Sequence, residues 1–370
     1  MRRYDIDALR VIVFGLLIFY HVGMFFVPWD YHIKNAVIYE WMTVPMIFLN
    51  QWRLPLLFVI SGMGTYFNIL KRSGSGFAKE RFVRLFIPLL IGMLFIVPPQ
   101  VYFERLDTGQ FIGNYLEFWP SKSFIGSYPQ GNISWHHLWF LPYLLLFSLI
   151  LIPAFLYLLK NPQTWIIRKI KTLTTHRLGL LVLAIPLIFW YVLLKPRFPS
   201  THALVGDWFN IINYCTLFFY GFLLMTIKEC LWENVTKNRR LYLTAGMVTF
   251  VLLLLSEIFA GHLSGKGEIS ESLQALNAWA WILTLVGYAA TYLNKPSKTL
   301  KYANEAVYPF YILHQTVIIA LGYYLKNVEV FLFVKFSIMV IGTFGISWLI
   351  YELGIRRFAW IRPLFGMKKK

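Results

Sequence analysis

The sequence predicts an all-α, polytopic membrane protein of about ten transmembrane helices, with both termini in the cytoplasm. Of its 370 residues, 58% are hydrophobic and only 14% are charged, whereas a soluble globular domain carries about 25% charged residues. The mean hydropathy of +0.58 points the same way. Aromatic residues make up 19% of the chain, which excludes disorder. The two cysteines, Cys215 and Cys230, are too few for a disulfide framework.

Apolar runs of membrane length place the predicted helices. A bilayer core needs about 20 mostly apolar residues per helix. Such runs predict ten spans, at 8–27, 44–70, 84–102, 138–159, 178–195, 208–228, 241–260, 275–293, 305–325 and 330–352. The first run has no small-residue cleavage site after it, so we expect it to remain as a helix. No loop is long enough for a separate fold, which predicts one domain over residues 1–370.

The distribution of lysine and arginine predicts the orientation. The N-terminus, the C-terminus and the even-numbered loops hold 26 of the 35 Lys and Arg residues, whereas the opposite loops hold seven. Cytoplasmic loops carry the excess of basic residues in membrane proteins. Both termini are therefore expected in the cytoplasm.

Charge and motifs exclude several other classes of protein. The net charge of +18 would suggest a nucleic-acid partner in a soluble protein, but here the charges lie in short loops and act as topology signals, so no nucleic acid is expected. The sequence contains no Walker loop, GxSxG elbow or HExxH motif, and no GxGxxG motif in a strand context. The sequence therefore does not favour an ATPase, a protease or a dehydrogenase, because the motifs typical of these enzymes are absent from it.

The first predicted helix carries two ionisable residues on one face. Arg10 and His21 are eleven residues apart, close to a whole number of turns at about 100° per residue. Their axial separation of roughly 16 Å puts Arg10 at the cytoplasmic mouth and His21 past the middle of the bilayer. Ionisable residues within spans are functional candidates by default. The alternative is that Arg10 snorkels to the headgroups and His21 is a satisfied interhelical donor.

The ninth predicted helix brings a second histidine to a similar depth. Measured along the helices from their cytoplasmic ends, His314 lies roughly 14 Å inside and His21 roughly 18 Å inside. Two intramembrane histidines at one level indicate either a functional site or two packing hydrogen bonds. We favour the site.

The second predicted helix combines a charge with small residues. Arg53 lies inside the span, and Pro55 frees a backbone carbonyl there. Ser61 and Gly62 allow close helix approach, and packing alone is sufficient to account for both. Packing does not account for Arg53.

A basic pair follows the second span. Arg81 and Arg84 are three residues apart, so they lie on one side of a helix start at the cytoplasmic face. The pair could bind phosphate groups or anchor the helix at the membrane surface. The residues alone favour anchoring.

The longer outer loop ends in an aromatic segment that contains Trp135, His136, His137 and Trp139. Such a segment is typical either of an aromatic belt at the membrane interface or of a surface that binds sugar rings. Neighbouring histidines point to different faces, and no carboxylate or cysteine joins them at ligand spacing. We therefore expect no metal site.

Taken together, these residues resemble the membrane-bound acyltransferase family 3. Arg10 and His21 match the Arg and His of that family's first helix, and residues 58–62 (Phe-Val-Ile-Ser-Gly) match its second-helix element. Residues 81–88 match the family's Arg-x-x-Arg-Leu-x-x-Pro element, and His314 lies in a late helix, as in the family. The resemblance covers essentially the whole chain.

Three further segments look most like one branch of that family, the glucan biosynthesis protein C branch. They are residues 52–55, 137–141 and 311–315. Members of that branch succinylate periplasmic glucans. The resemblance to this branch does not fix the substrate of this chain.

The resemblance implies transfer of an acetyl or succinyl group from cytoplasmic acyl-CoA to a hydroxyl of a saccharide or glucan at the outer face. Acyl-CoA would be a co-substrate, and no permanently bound cofactor or metal is expected. His21 would act as general base or become transiently acylated, and His314 and Arg53 would orient the base or stabilise the oxyanion.

The remaining candidate residues would bind the two substrates. The acyl-CoA donor would contact Arg10, Arg81, Arg84 and Ser61, and the acceptor would contact Trp135, His137 and Trp139.

The family also suggests a cellular setting, the bacterial inner membrane with its lipids. It leaves open whether the chain acts alone, as a homo-oligomer or with separate glycan-synthesis proteins. Two other functions stay open. A transporter or a lipid or glycan flippase would also place Arg and His within spans, and it would move substrate without CoA. A non-catalytic membrane scaffold would tolerate substitution of Arg10, His21 and Arg84.

Overall fold

The computed structural model describes residues 3–258 and 266–368. These residues form α-helices and short 3₁₀ or π segments and contain no β-strand, which confirms the all-α prediction. The α-helices are α1 (Tyr4–Met24), α2 (Thr43–Ile69), α3 (Gly74–Ile91), α4 (Pro98–Asp107), α5 (Tyr115–Ser121), α6 (Phe140–Ile150), α7 (Ile152–Lys160), α8 (Trp165–Thr174), α9 (Ala184–Leu194), α10 (Trp208–Thr226), α11 (Lys228–Ile258), α12 (Lys266–Tyr292), α13 (Lys298–Leu325) and α14 (Leu332–Leu349).

The described residues contain eight helical segments long and apolar enough to cross a membrane, which makes this a multi-pass membrane protein. These segments are Tyr4–Met24, Glu40–Ile69, Gly74–Asp107, Trp208–Thr226, Lys228–Ser256, Gly267–Tyr292, Lys298–Leu325 and Leu332–Ile355. They correspond to eight of the ten predicted spans. Part of the seventh predicted span, at 259–260, lies outside the described residues.

Two predicted spans differ from straight membrane helices. The predicted span at 138–159 is bent by 48° between His136–Ile150 and Ile152–Lys160, and it makes a ninth span if the two parts count as one. Pro153 lies at the start of α7 and cannot donate a backbone hydrogen bond, which explains the break. The predicted span at 178–195 is a shorter apolar helix, Gly179–Leu194.

The chain divides into two compact units that are interleaved in the sequence. The first unit comprises Met1–Arg10, Phe48–Glu80 and Tyr143–Leu300, and the second comprises Val11–Ile47, Arg81–Pro142 and Lys301–Lys370. The single domain over residues 1–370 stays a prediction.

In the first unit, α2 and α10 touch at glycines. A Cβ atom on Gly62 would lie 1.9 Å from the carbonyl oxygen of Phe218, and one on Gly221 would lie 2.0 Å from that of Val59. No real side chain fits at such distances, so both backbones need glycine here. The prediction of close helix approach at Gly62 is confirmed.

Buried polar groups of the first unit have dense hydrogen bonding. Asp207 is fully buried and accepts hydrogen bonds from the side chains of Tyr143 and Asn210 and from the backbone N–H groups of Thr201 and His202. A buried carboxylate is stable only with such partners. Burial lowers the pKa of His202, although Asp207 opposes this shift.

In the second unit, a π-helical segment, Gly92–Ile96, leads into α4, which begins with Pro98 and Pro99. Prolines lack the N–H that would bind the carbonyls of the preceding turn. Leu94 O, which Pro98 leaves without its helical donor, accepts from Trp119 Nε1 over 2.9 Å. Gln100 N–H donates to Val97 O, and Thr316 Oγ1 donates to Ile96 O over 2.6 Å in its place. The irregular turn is thereby tied to α13.

The exit from α1 is fixed by a lysine. Lys34 Nζ donates to the carbonyls of Met24, Val27 and Trp29. Cations near a helix C-terminus satisfy carbonyls that have no partner within the helix. Burial lowers the pKa of Lys34 to about 8, although Asp30 opposes this shift. The last turn of α1, which carries His21, is thus held in place by its own connecting segment.

Candidate active site

The second unit brings His21 of α1 and His314 of α13 into direct contact. His21 Nδ1 lies 2.8 Å from His314 Nε2, and the two rings are nearly parallel, at 6°. His314 is fully buried. The prediction that two histidines 293 residues apart reach one level is confirmed by this contact.

The hydrogen bonds of His314 determine which nitrogens carry protons. His314 Nδ1 lies 2.7 Å from Tyr311 O and 3.2 Å from Phe310 O. Carbonyl oxygens only accept, so Nδ1 carries the proton and Nε2 holds the lone pair. His21 must therefore donate from its Nδ1, which leaves the lone pair of His21 on Nε2. This is the tautomer that a general base or a nucleophile needs.

His137 supports this arrangement from the start of the fourth span. Its Nε2 donates to Ile312 O over 3.0 Å, and its own carbonyl accepts from the Tyr311 hydroxyl over 2.7 Å. The His137 ring packs edge-on against His314, with 5.1 Å between centroids. Gln100 Nε2 lies 3.4 Å from His137 Nδ1. Both nitrogens of His137 thus lie against protein groups beside His314, and its predicted binding of the acceptor stays a prediction.

An apolar cavity of about 160 Å³ runs beside α1 and α13 and reaches His314. Tyr302 and His314 both line it, and twelve residues of helix between them span roughly 18 Å. Phe14, Gly15 and Phe344 are among its other lining residues. Among the described residues, no atom outside the surrounding turns of α1 lies within 4 Å of the place where a Cβ on Gly15 would be, so this glycine keeps the cavity open.

The basic pair of α3 belongs to the same unit as the histidines. Arg81 is buried and Arg84 is exposed, and both guanidinium groups act electrostatically on the hydroxyl of Tyr308. That hydroxyl also donates to Arg84 O over 3.1 Å. Tyr308 lies six residues before His314 on α13, or roughly 9 Å along the helix. Two guanidinium groups near one hydroxyl suit phosphate oxygens.

Three other predicted site residues lie in the first unit. Arg10 pairs with Asp7 over 3.3 Å, and its guanidinium faces Gly64 of α2, 3.6 Å from where a Cβ would lie. Arg53 is only 2% exposed. Ser61 accepts a hydrogen bond at its carbonyl from Thr65 Oγ1. The structure does not bring these three residues together with His21 within one unit.

The aromatic residues predicted to bind the acceptor lie at the entry to α6. Trp135 is half-buried before the 3₁₀ turn His136–Trp139, and Trp139 is buried at the end of that turn. Tyr31, a residue that the sequence did not single out, lies with its ring centroid 6.4 Å from that of His21. Its hydroxyl is buried and has no hydrogen-bond partner among the described residues. Burial raises the pKa of Tyr31, so the phenol stays a donor.

A second histidine cluster lies in the same unit. His32, Glu104 and His136 place metal-ligating atoms within 4.8 Å of one another. Sequence spacing gave no signal of it, because the carboxylate comes from α4 and the first histidine from the segment after α1. Tyr128 donates to Glu104 Oε2 over 3.3 Å, and burial together with Glu104 raises the pKa of Tyr128 to about 12.

Comparison with known families shows the family of this chain. A family model described as an acyltransferase domain matches residues 3–352. The chain belongs to acyltransferase family 3. Members of this family are membrane acyltransferases, and the paired histidines within apolar helices lie inside the matched region.

Curated relatives carry one common name. The chain is 24% identical to glucans biosynthesis protein C of Salmonella paratyphi B over 370 residues, which cover 96% of this chain and 92% of the relative. The proteins of that name from Salmonella schwarzengrund and Salmonella agona are each 25% identical, with the same coverage. No solved structure matches this chain significantly.

Proposed function

We propose that this protein is an O-acyltransferase of the bacterial inner membrane. It moves an acetyl or succinyl group from cytoplasmic acyl-CoA to a hydroxyl of a saccharide or glucan at the outer face. The family and the name of its relatives support acyl transfer. The observation that carries the proposal is the His21–His314 hydrogen bond, because it leaves a basic nitrogen on His21.

In direct transfer, His21 Nε2 takes the proton of the acceptor hydroxyl while the hydroxyl oxygen of the acceptor attacks the thioester carbonyl. The tetrahedral intermediate then collapses, the C–S bond breaks, and the imidazolium returns its proton to the departing CoA thiolate. His314 accepts the Nδ1–H of His21 throughout and so stabilises the imidazolium that forms.

A covalent route uses the same residues. His21 Nε2 attacks the thioester carbonyl, the C–S bond breaks, and CoA leaves as the thiolate, which gives an acyl-imidazolium whose Nδ1–H still donates to His314. The acceptor hydroxyl then attacks the acyl carbon, the C–N bond breaks and releases the ester, and the hydroxyl proton goes to water and balances the CoA thiolate. Nothing in the arrangement of the two histidines favours one route over the other, and a trapped acyl-histidine would distinguish them.

The donor is proposed to bind from the cytoplasmic side. Arg81 and Arg84, with Arg10, would hold CoA phosphates, and the apolar cavity that ends at His314 is long enough for an extended thioester arm. Ser61 remains a candidate for donor contact. Trp135 and Trp139 remain candidates to stack on the acceptor sugar.

The oxyanion requires a hydrogen-bond donor. Arg53 and His314 are the candidates from the sequence, and the buried Tyr31 hydroxyl is a further one because it is near His21 and has no partner among the described residues. Loss of one oxyanion donor lowers kcat by about 100- to 1,000-fold. We therefore expect Tyr31→Phe to lower kcat in that range with KM for acyl-CoA unchanged, in a membrane transfer assay. An unchanged kcat would remove Tyr31 from the mechanism.

The test of the function is acyl transfer by the full chain in membranes. Labelled acetyl-CoA and succinyl-CoA are supplied with an oligosaccharide acceptor, and ester formation is measured. We expect His21→Gln to lower the rate at least about 100-fold, the lower end of what a positioned acid–base group contributes. The matched control is His176→Gln, which changes an exposed histidine of the first unit.

Two outcomes would contradict the proposal. A wild-type rate in His21→Gln would exclude His21 as base or nucleophile. Movement of a lipid or glycan across the membrane without CoA, lost in His21→Gln, would favour the transporter or flippase instead.

A further inference from the structure

Three side chains at the end of α4 and in two neighbouring connections form a compact donor set in the second unit. His32 Nδ1 lies 2.5 Å from Glu104 Oε2. The rings of His32 and His136 lie 4.5 Å apart between centroids, at 36°. One ligating atom from each of the three residues lies within 4.8 Å of the other two.

One ring nitrogen of His136 has no hydrogen-bond partner among the described residues. Its Nδ1 lies 2.9 Å from Ser134 Oγ, which can accept a hydrogen bond from Nδ1–H, and the lone pair of the ring then lies on Nε2. Nε2 is buried and has no hydrogen-bond partner in the part of the chain that the structure describes. A buried polar atom without a partner costs about 1–3 kcal/mol. An ion pair between His32 and Glu104 explains two members of the set but does not explain His136.

The backbone at His136 is also unfavourable. Its φ of +39° lies in the left-handed region, which a histidine adopts only at a cost of about 1–3 kcal/mol. This conformation begins the turn that directs His136 toward His32 and His137 toward α13. The rings of His136 and His137 thus point in opposite directions, so His136 lies in the cluster with His32 and His137 lies in the cluster with His314.

We propose that His32, Glu104 and His136 bind a divalent transition-metal ion of the Zn²⁺ class, with the fourth position open to water. Two imidazoles and a carboxylate are a donor set that zinc accepts in tetrahedral geometry. Bonds of about 2.0–2.1 Å place tetrahedral ligands roughly 3.3 Å apart, which lies between the 2.5 Å contact and the 4.8 Å limit of this set. Binding requires a shift of about 1 Å between His32 and Glu104.

The surroundings suit such an ion. Ser134 orients the His136 ring through Nδ1, as outer partners of metal ligands do. Metal binding at His32 Nδ1 moves that ring's proton to Nε2, which lies 3.2 Å from the Gln315 amide nitrogen. If the amide turns so that its oxygen faces the ring, it accepts a hydrogen bond from Nε2–H and gives up the bond that Gln315 Nε2 donates to Gln100 Oε1. Glu104 supplies the negative charge.

One neighbouring cation opposes binding. Arg105 Nη1 lies 3.7 Å from Glu104 Oε1. Its guanidinium donates to Asn132, Gln110 and the carbonyls of Pro129 and Gly131, so its charge is largely satisfied elsewhere.

The metal would join three segments distant in sequence: the connection after α1, the C-terminal half of α4 and the entry to α6. It would fix His136, and with it the direction of the neighbouring His137. The inference does not depend on acyl transfer, because it concerns metal binding alone.

The test uses the full chain, without an affinity tag, in detergent. Protein stripped with a chelator is titrated with Co²⁺, whose visible absorption reports tetrahedral nitrogen and oxygen ligands, and then with Zn²⁺, which should displace it. We expect one ion per chain. Loss of a residue that only hydrogen-bonds to a metal ligand weakens metal affinity by about 10- to 100-fold. Because His136 and Glu104 would be ligands themselves, His136→Gln and Glu104→Gln should each weaken Co²⁺ and Zn²⁺ binding by more than this.

Matched measurements separate the site from unfolding and from surface binding. His176→Gln, an exposed histidine, should bind metal as the wild type does. The thermal midpoint without metal should stay near wild type in His136→Gln, while the rise produced by Zn²⁺ should disappear. Absence of Co²⁺ binding by the wild type, or equal binding by wild type, His136→Gln and Glu104→Gln, would overturn the proposal.

Discussion

Two glycines, one in each unit, have opposite effects on packing. In the first unit, a methyl group on Gly62 would meet a backbone oxygen at 1.9 Å, whereas in the second unit a methyl group on Gly15 would meet no described neighbour outside its own helix within 4 Å. The same residue type therefore closes a helix contact in one unit and keeps a cavity open in the other. Polar groups differ from place to place as well: Asp207 has several donors, whereas Tyr31 and His136 each bury an atom with no hydrogen-bond partner among the described residues, as Trp52 and Ser148 do in the first unit.

These differences distinguish places that stabilise the fold from places where a ligand can bind or a reaction can occur. Tight contacts and satisfied polar groups resist change and stabilise a fold. Open space and polar atoms without partners cost stability, and they persist where a ligand or a reaction uses them. We therefore expect substitutions at the Gly62 contact to act mainly on stability, and substitutions around Gly15 and His314 to act mainly on activity.

The largest effect should come from Gly62→Ala. The added Cβ meets backbone that cannot rotate away, so α2 and α10 must separate, and overpacking of this kind costs about 1–3 kcal/mol or more. The thermal midpoint in detergent should fall clearly. Gly15→Ala is the matched control, and it should keep or raise the midpoint because alanine favours helix by about 0.5–1 kcal/mol. Equal effects of the two changes would refute the contrast.

The next largest effect should come from His314→Gln. The amide carries a donor and an acceptor, but both lie at the end of the side chain and do not occupy the positions of Nδ1 and Nε2. It therefore does not reach Tyr311 O and His21 together as the imidazole does, and His21 loses its fixed tautomer. We expect kcat to fall about 100-fold, equivalent to about 2.7 kcal/mol in the barrier, with KM for acyl-CoA little changed. A loss confined to KM would instead indicate that His314 binds the donor.

A smaller effect on activity should follow from Gly15→Leu. The side chain would enter the cavity between Phe14 and His314 and shorten the path available to the donor. We expect kcat/KM for acyl-CoA to fall about 10-fold, or about 1.4 kcal/mol, with the thermal midpoint unchanged. If transfer proceeds at the wild-type rate, the donor does not use this cavity.

The smallest effect should come from Arg84→Gln. Arg84 is exposed, so solvent screens its contact with a phosphate, and the expected loss is a few-fold in KM for acyl-CoA. Stabilisation of the protein by CoA in a thermal melt should weaken in parallel, while stabilisation by zinc should not change. Equal loss of response to ATP and CoA would point to general phosphate attraction.

The sequence predicted part of the site for local reasons. Arg10 and His21 share a helix, so their spacing fixes their common face, and span length fixes the depth of His314. The small pair at Ser61 and Gly62 is likewise a local signal of helix contact, which Gly62 confirms. Hydropathy does not register the bend before Pro153 or the shortness of the helix that ends at Leu194, so the total of ten spans stays a prediction.

Other features had no signal in the sequence. His137 was predicted to bind the acceptor because it lies in an aromatic loop, yet it packs against His314. His32 and Glu104 are 72 residues apart in sequence and still lie in hydrogen-bond contact. The left-handed turn at His136, which separates the directions of two adjacent histidines, depends on the fold around it.

By itself, the sequence determined that this protein is helical, crosses the membrane several times and carries histidines within its spans. Those properties follow from the cost of placing polar groups and unpaired backbone in hydrocarbon, which acts on each segment separately. Only the tertiary structure decided which histidine nitrogen holds a lone pair, which residues line the cavity and which carboxylate joins His32 and His136. These depend on contacts between residues as far as 293 positions apart, and such contacts exist only once the helices have packed.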